Sequence, residues 1–569
     1  MENLERLREA TSLKDIARIF GVQPKTISFL IYVLPAEHRY HTFEIPKQSG
    51  GMRTINAPEP RLKMIQRRLA DCLYKCTGEI YGEPPKRLLS HGFLRSRSIF
   101  TNASIHNSRR YVLNLDLEDF FPSFNFGRVR GFFIKDSRFK LHQKVATIIA
   151  QIACHQNELP QGSPCSPIIT NLIGHMLDVR LVKLARKYNC LYSRYADDIT
   201  FSTNLTNFPV DLAKQSDGDL SKWQLGKKLT KEIEDSGFDI NKSKTRMQWK
   251  CSRQTTTGLT VNKKVNIRSE YYRRARAICH QLFTSGSYYT FDVESQSENL
   301  NKIEGILSHI YHIKQQSAVA FERSTQRTWD AKTTGLYAIR KLYRSFLIYR
   351  YFNVSVKPAI VTEGVTDPIY LKLAIKKIKA YQPQLGEFTN GRFQYKMSFI
   401  KHSGNTGEVL QLDGGVSKLN SLIKNYRKDL DRFKYTLLTN PVVVLIDNDK
   451  GAKEVFNTVK NQYGLEISHK KEKPFYHLHA NLYLVKTPLT NNRSESCIED
   501  CFDQDTLDIE LDGRKFDPAK KNGSEDTYGK TTFAREVIIP NADVVSFEGF
   551  DEVLSRISAV LDDYRVRRQ

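Results

Sequence analysis

Polar and apolar residues alternate through "YHTFEIPKQSGGMRTINAP" at 40–58, with Gly50 and Gly51 at the midpoint, and this predicts a β-hairpin. Before it, residues 1–35 read as two short helices: Ser12 and Asp15 resemble a capping box, and Gly21 followed by Pro24 breaks the pattern. The second of these, "KTISFLIYVL", is too apolar to lie in a DNA groove and predicts packing. Residues 61–76 form a basic amphipathic pattern, and strands and helices mix from 90 to 260. A helix is expected over 268–285 and more helix over 303–352. At Lys357-Pro358 the texture changes to strand–turn–helix alternation that runs to about 545, which places a domain boundary near 355. There are no internal repeats.

Composition narrows the class. Apolar residues make up 40% of 569, enough for packed cores and too many for a disordered chain. With 87 basic against 62 acidic residues the formal charge is +25, which points to nucleic acid as partner. The nine cysteines form no CxxC and no histidine set completes a zinc site, so they read as free thiols in a reducing compartment. The N-terminus lacks an apolar signal core, and runs such as "VVVLI" at 442–446 are too short to span a bilayer; a cytoplasmic protein with no membrane partner is expected.

"RYADDITFS" at 194–202 sets two carboxylates beside residues that favour a half-buried strand. Charges about 4 Å apart repel by roughly 4 kcal/mol at an effective dielectric near 20, so a cation or a proton must offset them. If Ala196-Asp197-Asp198 is a turn between strands, both side chains share one edge. A third carboxylate comes from "VLNLDLEDFFPSF", where Asp116 falls at the end of a buried strand. Three carboxylates can hold two Mg²⁺ ions, one activating a primer hydroxyl and the other neutralising a leaving pyrophosphate. Between these segments "LPQGSPCSPIITNLI" supplies Gly162 for close backbone approach, and Gln161 offers an amide to a template base and an incoming nucleotide.

These three segments, in this order and spacing, resemble the palm motifs of reverse transcriptases. The resemblance implies an α+β right-hand polymerase with fingers, palm and thumb that takes dNTP substrates. It implies metal binding by Asp116, Asp197 and Asp198. It further implies sugar selection by Phe121, triphosphate binding by Lys47 and Arg53, and a general acid in Lys244 of "GFDINKSKTR". More narrowly, "NASIH" at 102–106 resembles the Asn-Ala-x-x-His signature of retron reverse transcriptases. "TTGLTVN" at 256–262 is similar to their Val-Thr-Gly segment, with Thr256 in place of valine. That family binds its own structured noncoding RNA and makes a branched RNA–DNA hybrid, msDNA, so Asn102 and His106 are expected to face RNA. Without the family they read as a capping Asn and a satisfied buried His. Arg273, Arg274 and Arg276, with Tyr271 and Tyr272, suit phosphate neutralisation and base stacking and are read as thumb.

A second constellation follows. "PAIVTEGVTDPIYLKLAIKKI" runs from a short strand through Glu363-Gly364 into a helix that Thr366 is placed to cap, with Glu363 and Asp367 at the strand end. "PVVVLIDNDKGAKEVF" repeats the arrangement with Asp447 and Asp449. Ligands bind at such strand ends in open α/β sheets. The pattern resembles a Toprim domain over 355–545, with "DGGVSKL" at 413–419 as the intervening turn. This implies an α/β domain with a mostly parallel sheet holding one or two Mg²⁺ at Glu363, Asp447 and Asp449. The remainder resembles the nuclease branch related to the overcoming-lysogenisation-defect enzymes, which implies Glu499 as a further metal ligand and Lys530 as a phosphate-stabilising lysine.

The expected organisation is a helical segment at 1–35, fingers and palm at 36–260, thumb and connecting helices at 261–352, and a Toprim nuclease domain at 355–569. The expected function is msDNA synthesis fused to a nuclease effector in bacterial antiphage defence, with a nucleic-acid nuclease target and homo-oligomer formation left open. The alternatives are a group II intron-like or other bacterial reverse transcriptase with an end-processing Toprim domain, and an idle RNA-binding antitoxin scaffold.

Overall fold

The computed structural model describes residues 2–47, 50–83, 89–216, 219–290, 293–325, 336–412, 415–489, 493–518 and 526–569. Asp413 and Gly414 of the expected turn "DGGVSKL" lie outside the described residues. The chain divides into two compact units, Met1–Arg268 and Ser269–Gln569.

The first unit is built on an antiparallel sheet. The strand Tyr111–Glu118 lies at its centre and pairs on one side with Asp198–Thr203, which in turn pairs with Leu191–Tyr195. On its other side it pairs with Asp239–Ile240 and Arg246–Trp249. Val112, Leu113, Leu115 and Leu117 are all buried, so this strand reads as a continuous apolar run broken only where a polar residue has a task. The long helices Pro60–Tyr81 and Ser166–Lys187 supply much of the core. The N-terminal reading holds in its caps: Ser12 and Asp15 form a reciprocal capping box, and Gly21 closes the helix at φ +62°. Ile27, Leu30 and Ile31 of "KTISFLIYVL" are buried in this core, as expected of a packing element. The 40–58 hairpin forms in the register Tyr40↔Pro58 to Pro46↔Met52, and both glycines at its turn have positive φ.

The second unit contains a five-stranded, mostly parallel sheet. Ala359–Thr362 lies between Ser398–Phe399 and Val442–Ile446, followed by Leu482–Lys486 and an antiparallel edge strand, Tyr476–His479. Helices Asp367–Lys377, Val416–Leu430, Lys453–Tyr463 and Asp551–Arg568 accompany it. Thr366 makes no side-chain cap on the first of these; the Gly364 N–H is taken instead by Asp367 at 2.6 Å.

The break between units falls at Arg268/Ser269, earlier than the change of texture near 355. The helices Ser269–Ser285, Leu300–Thr325 and Leu336–Ile348 fall in the same unit as the parallel sheet, and polar contacts tie the last two to the helices that flank it. Arg344 pairs with buried Asp429 at 2.8 Å, and Tyr311 donates to Glu408 at 2.6 Å. Asn481, fully buried, donates to the carbonyls of Phe352 and Asn440, each at 2.8 Å, and accepts from the Tyr426 hydroxyl. Texture thus marks where helices give way to strands and does not mark a gap in packing. Among the described residues, no helix is long and apolar enough to cross a membrane.

Asn481→Ala removes three hydrogen bonds and leaves the Phe352 carbonyl, the half-buried Asn440 carbonyl and the Tyr426 hydroxyl without this partner. A loss of about 3 kcal/mol is expected, read as a lower urea midpoint for the unit with an unchanged m-value.

Candidate functional site

Antiparallel register brings the first three carboxylates together. Asp116 stands directly opposite Asp198, and the Leu117 N–H donates to the Asp197 carbonyl at 3.0 Å. Tyr195 pairs with Asp198, leaving Ala196-Asp197 as a two-residue turn. Asp116 is buried, Asp197 half-buried and Asp198 exposed, so the cluster opens to solvent on one side. Loss of hydration and then the charges of Asp197 and Asp116 push Asp198 up to about 6. Because Asp198 reaches solvent, the neighbouring charges are the more telling cause. Asp197 is also raised, by burial and then by Asp116, against the pull of Lys244 and Arg53.

Lys244 is placed by a backbone link: Asn241 N–H donates to the Asp116 carbonyl at 2.9 Å, and the following turn, Lys242–Lys244, returns the ammonium to Asp116 Oδ1 at 2.8 Å. Gly162 has φ +121°, and a Cβ there would lie 2.7 Å from the Asn56 carbonyl. The Asn56 N–H donates to the Gln161 carbonyl at 2.8 Å, so the loop clasps the 52–58 strand as close backbone approach requires. Gln161 and Phe121 are half-buried; Phe121 packs at ring distances of 5.6 Å from Phe120 and 6.2 Å from Phe93. Arg53 and Lys47 are exposed on the hairpin.

Asn102 and His106 are placed differently from the RNA-facing expectation. Both are fully buried. His106 bridges the hydroxyls of Ser202 and Ser193, each at 2.7 Å, and burial pushes its pKa down to about 3. Asn102 sits inside the helix Ile99–Ile105 with no partner for its amide among the described residues. Neither presents a group to RNA, and the motif braces the sheet from behind. Arg273 and Arg276 are exposed and Arg274 half-buried on Ser269–Ser285, a helix that buries Ala275, Ile278, Cys279 and Leu282 on its other face.

In the second unit, Thr362 pairs with Leu445, which sets Glu363 beside the start of the Asp447–Asp449 segment. Glu363 accepts the Asp447 N–H at 3.2 Å, and Asp447 Oδ1 accepts the Ile498 N–H at 2.9 Å. Asp449 accepts from the N–H groups of Gly451 and Ala452. Glu499, 1% exposed, holds Lys530 at 2.8 Å through Oε2, while its Oε1 is buried without a partner. Burial would lower Lys530, but Glu499 and Asp447 outweigh it and hold the ammonium charged. Asp367 joins the cluster: burial and then Glu499 push it up to about 7. Burial, then Asp367 and Glu363, raise Asp447 well above the carboxylate range. Asp500 turns away, capping its own helical turn and pairing with Arg493.

Among the described residues, no three His, Cys, Asp or Glu side chains already stand in metal-ligating geometry. The donor chemistry nonetheless suits a hard cation: the acidic donors of each cluster are all oxygen, each has carboxyls raised by burial and then by like charge, and Glu499 Oε1 is an orphaned acceptor. In each cluster a lysine occupies one carboxylate. Three residues carry more here than their sequence signal suggested. Asp367 was legible at the strand end, but without a role. The buried pair of Arg194 with Asp178 had no signal beyond an arginine two places before the turn.

This palm and its acidic turn define a reverse transcriptase, an RNA-directed DNA polymerase. Residues 45–261 match the family "Reverse transcriptase (RNA-dependent DNA polymerase)". The retron Mx65 reverse transcriptase of Myxococcus xanthus is 33% identical over 54% of this chain and 70% of its own length. The retron Ec86 reverse transcriptase of Escherichia coli is 31% identical over 54% of this chain and 86% of its own. The chain belongs to the retron reverse transcriptase family. The second carboxylate cluster lies outside the residues matched by the family model.

Without divalent metal, Asp198 gives a defined pH signature. Its folded pKa of about 6 exceeds the ordinary 3.8, so the folded chain binds the extra proton between those values. Its contribution to stability is therefore present below that window and lost as pH rises through it. Thermal midpoints measured from pH 4 to 7 should fall less for Asp198→Asn than for the parent, and Mg²⁺ should restore the parent at pH 7.

Proposed function

We propose that this protein copies its own structured noncoding RNA into msDNA and carries a Toprim-type, Mg²⁺-dependent nuclease as effector in antiphage defence. The observation that carries the polymerase half is Asp116 facing Asp198 across adjacent strands in a member of the retron family. In this reading Asp116, Asp197 and Asp198 hold Mg²⁺, which when bound activates the primer hydroxyl and neutralises the pyrophosphate. Arg53 and Lys47 pair with the triphosphate, Gln161 contacts the nucleotide, and Phe121 packs under the sugar and excludes a 2′-OH. Lys244 would give its proton to the leaving pyrophosphate. Arg273, Arg274 and Arg276 bind phosphates of the RNA or of the hybrid.

The nuclease half is supported by five acidic residues, Glu363, Asp367, Asp447, Asp449 and Glu499, gathered with Lys530 past the ends of parallel strands. Glu363, Asp447, Asp449 and Glu499 hold Mg²⁺, and Lys530 stabilises charge on the phosphate under attack. The hybrid restrains this activity until infection disturbs it.

Asp197→Asn with Asp198→Asn should abolish the DNA that co-purifies with the protein, whereas Asp447→Ala should leave that DNA intact and remove toxicity in cells. Sequencing the co-purified nucleic acid should give one short branched species. A mixture of exogenous copies would instead point to a general reverse transcriptase, and persistence of the hybrid in the palm double variant would overturn the site assignment.

A further inference from the structure

Arg194 lies two residues before the acidic turn, and its side chain is wholly buried. Its Nε and Nη2 donate to the two carboxylate oxygens of Asp178 at 2.6 and 2.8 Å, and Nη1 donates to the Ala196 carbonyl at 3.0 Å. Asp178, equally buried, also accepts the Tyr192 hydroxyl at 2.7 Å. One guanidinium is thus fixed on the helix Ser166–Lys187 by two bonds and reaches the turn with a third.

The turn needs holding. Ala196 has φ +56°, a left-handed conformation that an alanine adopts at some expense and that persists where its surroundings enforce it. The enforcement comes from several segments. The His91 N–H donates to the Arg194 carbonyl at 2.7 Å, and a Cβ on Gly92 would meet the Ala196 nitrogen at 2.8 Å. The guanidinium passes Gly174 so closely that a Cβ there would stand 3.0 Å from Nη2. It also lies 5.8 Å from the ring of Phe120, the neighbour of Phe121. A buried ion pair contributes little net stability compared with an apolar pair of similar volume, so its presence here points to geometry.

We infer that Arg194, braced by Asp178, is a positioning residue that sets the Ala196-Asp197 turn and thereby the spacing of Asp197 from Asp116. It touches neither nucleotide nor metal. The inference rests on the assignment of Asp116, Asp197 and Asp198 as the polymerase carboxylates.

The test uses the full chain. Arg194→Lys keeps the charge and one bond to Asp178 but cannot hold Asp178 and Ala196 together. Gly174→Ala leaves Arg194 in place and displaces its guanidinium. Primer extension on a defined RNA template is measured at a temperature well below each thermal midpoint, and Mn²⁺ binding at the palm is followed by electron paramagnetic resonance as the component absent from the Asp197→Asn, Asp198→Asn double variant. For Arg194→Lys, kcat should fall about tenfold to a hundredfold with dNTP KM within about threefold, the pattern of misplaced reacting groups. Mn²⁺ affinity should weaken in parallel, and Gly174→Ala should shift both readouts in the same direction by less. A purely structural role would lower the thermal midpoint and leave kcat and Mn²⁺ affinity at parental values; that result overturns the inference. If Arg194→Lys does not fold, Gly174→Ala decides on the same two readouts. The arms separate from the site assignment. If the Asp197/Asp198 double variant still extends primers, that assignment fails; if it is inactive while the folded variants here match the parent, only the role of Arg194 fails.

Discussion

Like charges brought together against their repulsion govern both halves of this molecule. Two ionised carboxylates at contact range oppose each other by several kcal/mol in a partly dry environment. The chain accepts this twice, at Asp116 with Asp197 and Asp198, and at Glu363 with Asp367, Asp447, Asp449 and Glu499. The repulsion is tolerated because backbone pairing fixes the positions: antiparallel register puts Asp116 opposite Asp198, and parallel register puts Glu363 beside Asp447. Sheet hydrogen bonds, distributed over whole strands, outweigh the local electrostatic penalty.

The two clusters handle the excess charge alike. A lysine from a distant segment, Lys244 or Lys530, sits on one carboxylate, and neighbouring carboxyls rise toward neutrality. The lysines differ in one respect. Lys244 is about half exposed, whereas Lys530 is more enclosed and its Glu499 partner is buried.

Much of this was legible in the chain. Alternation and glycines gave the 40–58 hairpin but not its register, which centres on residue 49, and apolar runs ending in aspartate located the strand that carries Asp116 and the strand that stops just before Asp447. Local chemistry was readable because it is local: a capping box spans four residues, and a strand end about six. What failed depends on long-range burial. The family resemblance alone gave Asn102 and His106 an RNA-facing role; read from the residues, His106 is a satisfied buried histidine, and the hydroxyls of Ser193 and Ser202, on two other strands, make that internal place. The Arg194–Asp178 contact joins a strand to a helix that precedes it, and nothing in either segment names the other. Asp367 gains its weight from Glu499, far along the chain.

The position of the break between units has a practical meaning for anyone dissecting the protein. A scissor cut at residue 355, where the composition changes, would sever Phe352 from Asn481 and Arg344 from Asp429 and leave a raw face of formerly interior side chains on the released sheet. The seam that packing respects lies at Arg268/Ser269, so the helix bearing Arg273, Arg274 and Arg276 travels with the second carboxylate cluster. Those three arginines and the second carboxylate cluster are therefore inherited as a single piece of architecture.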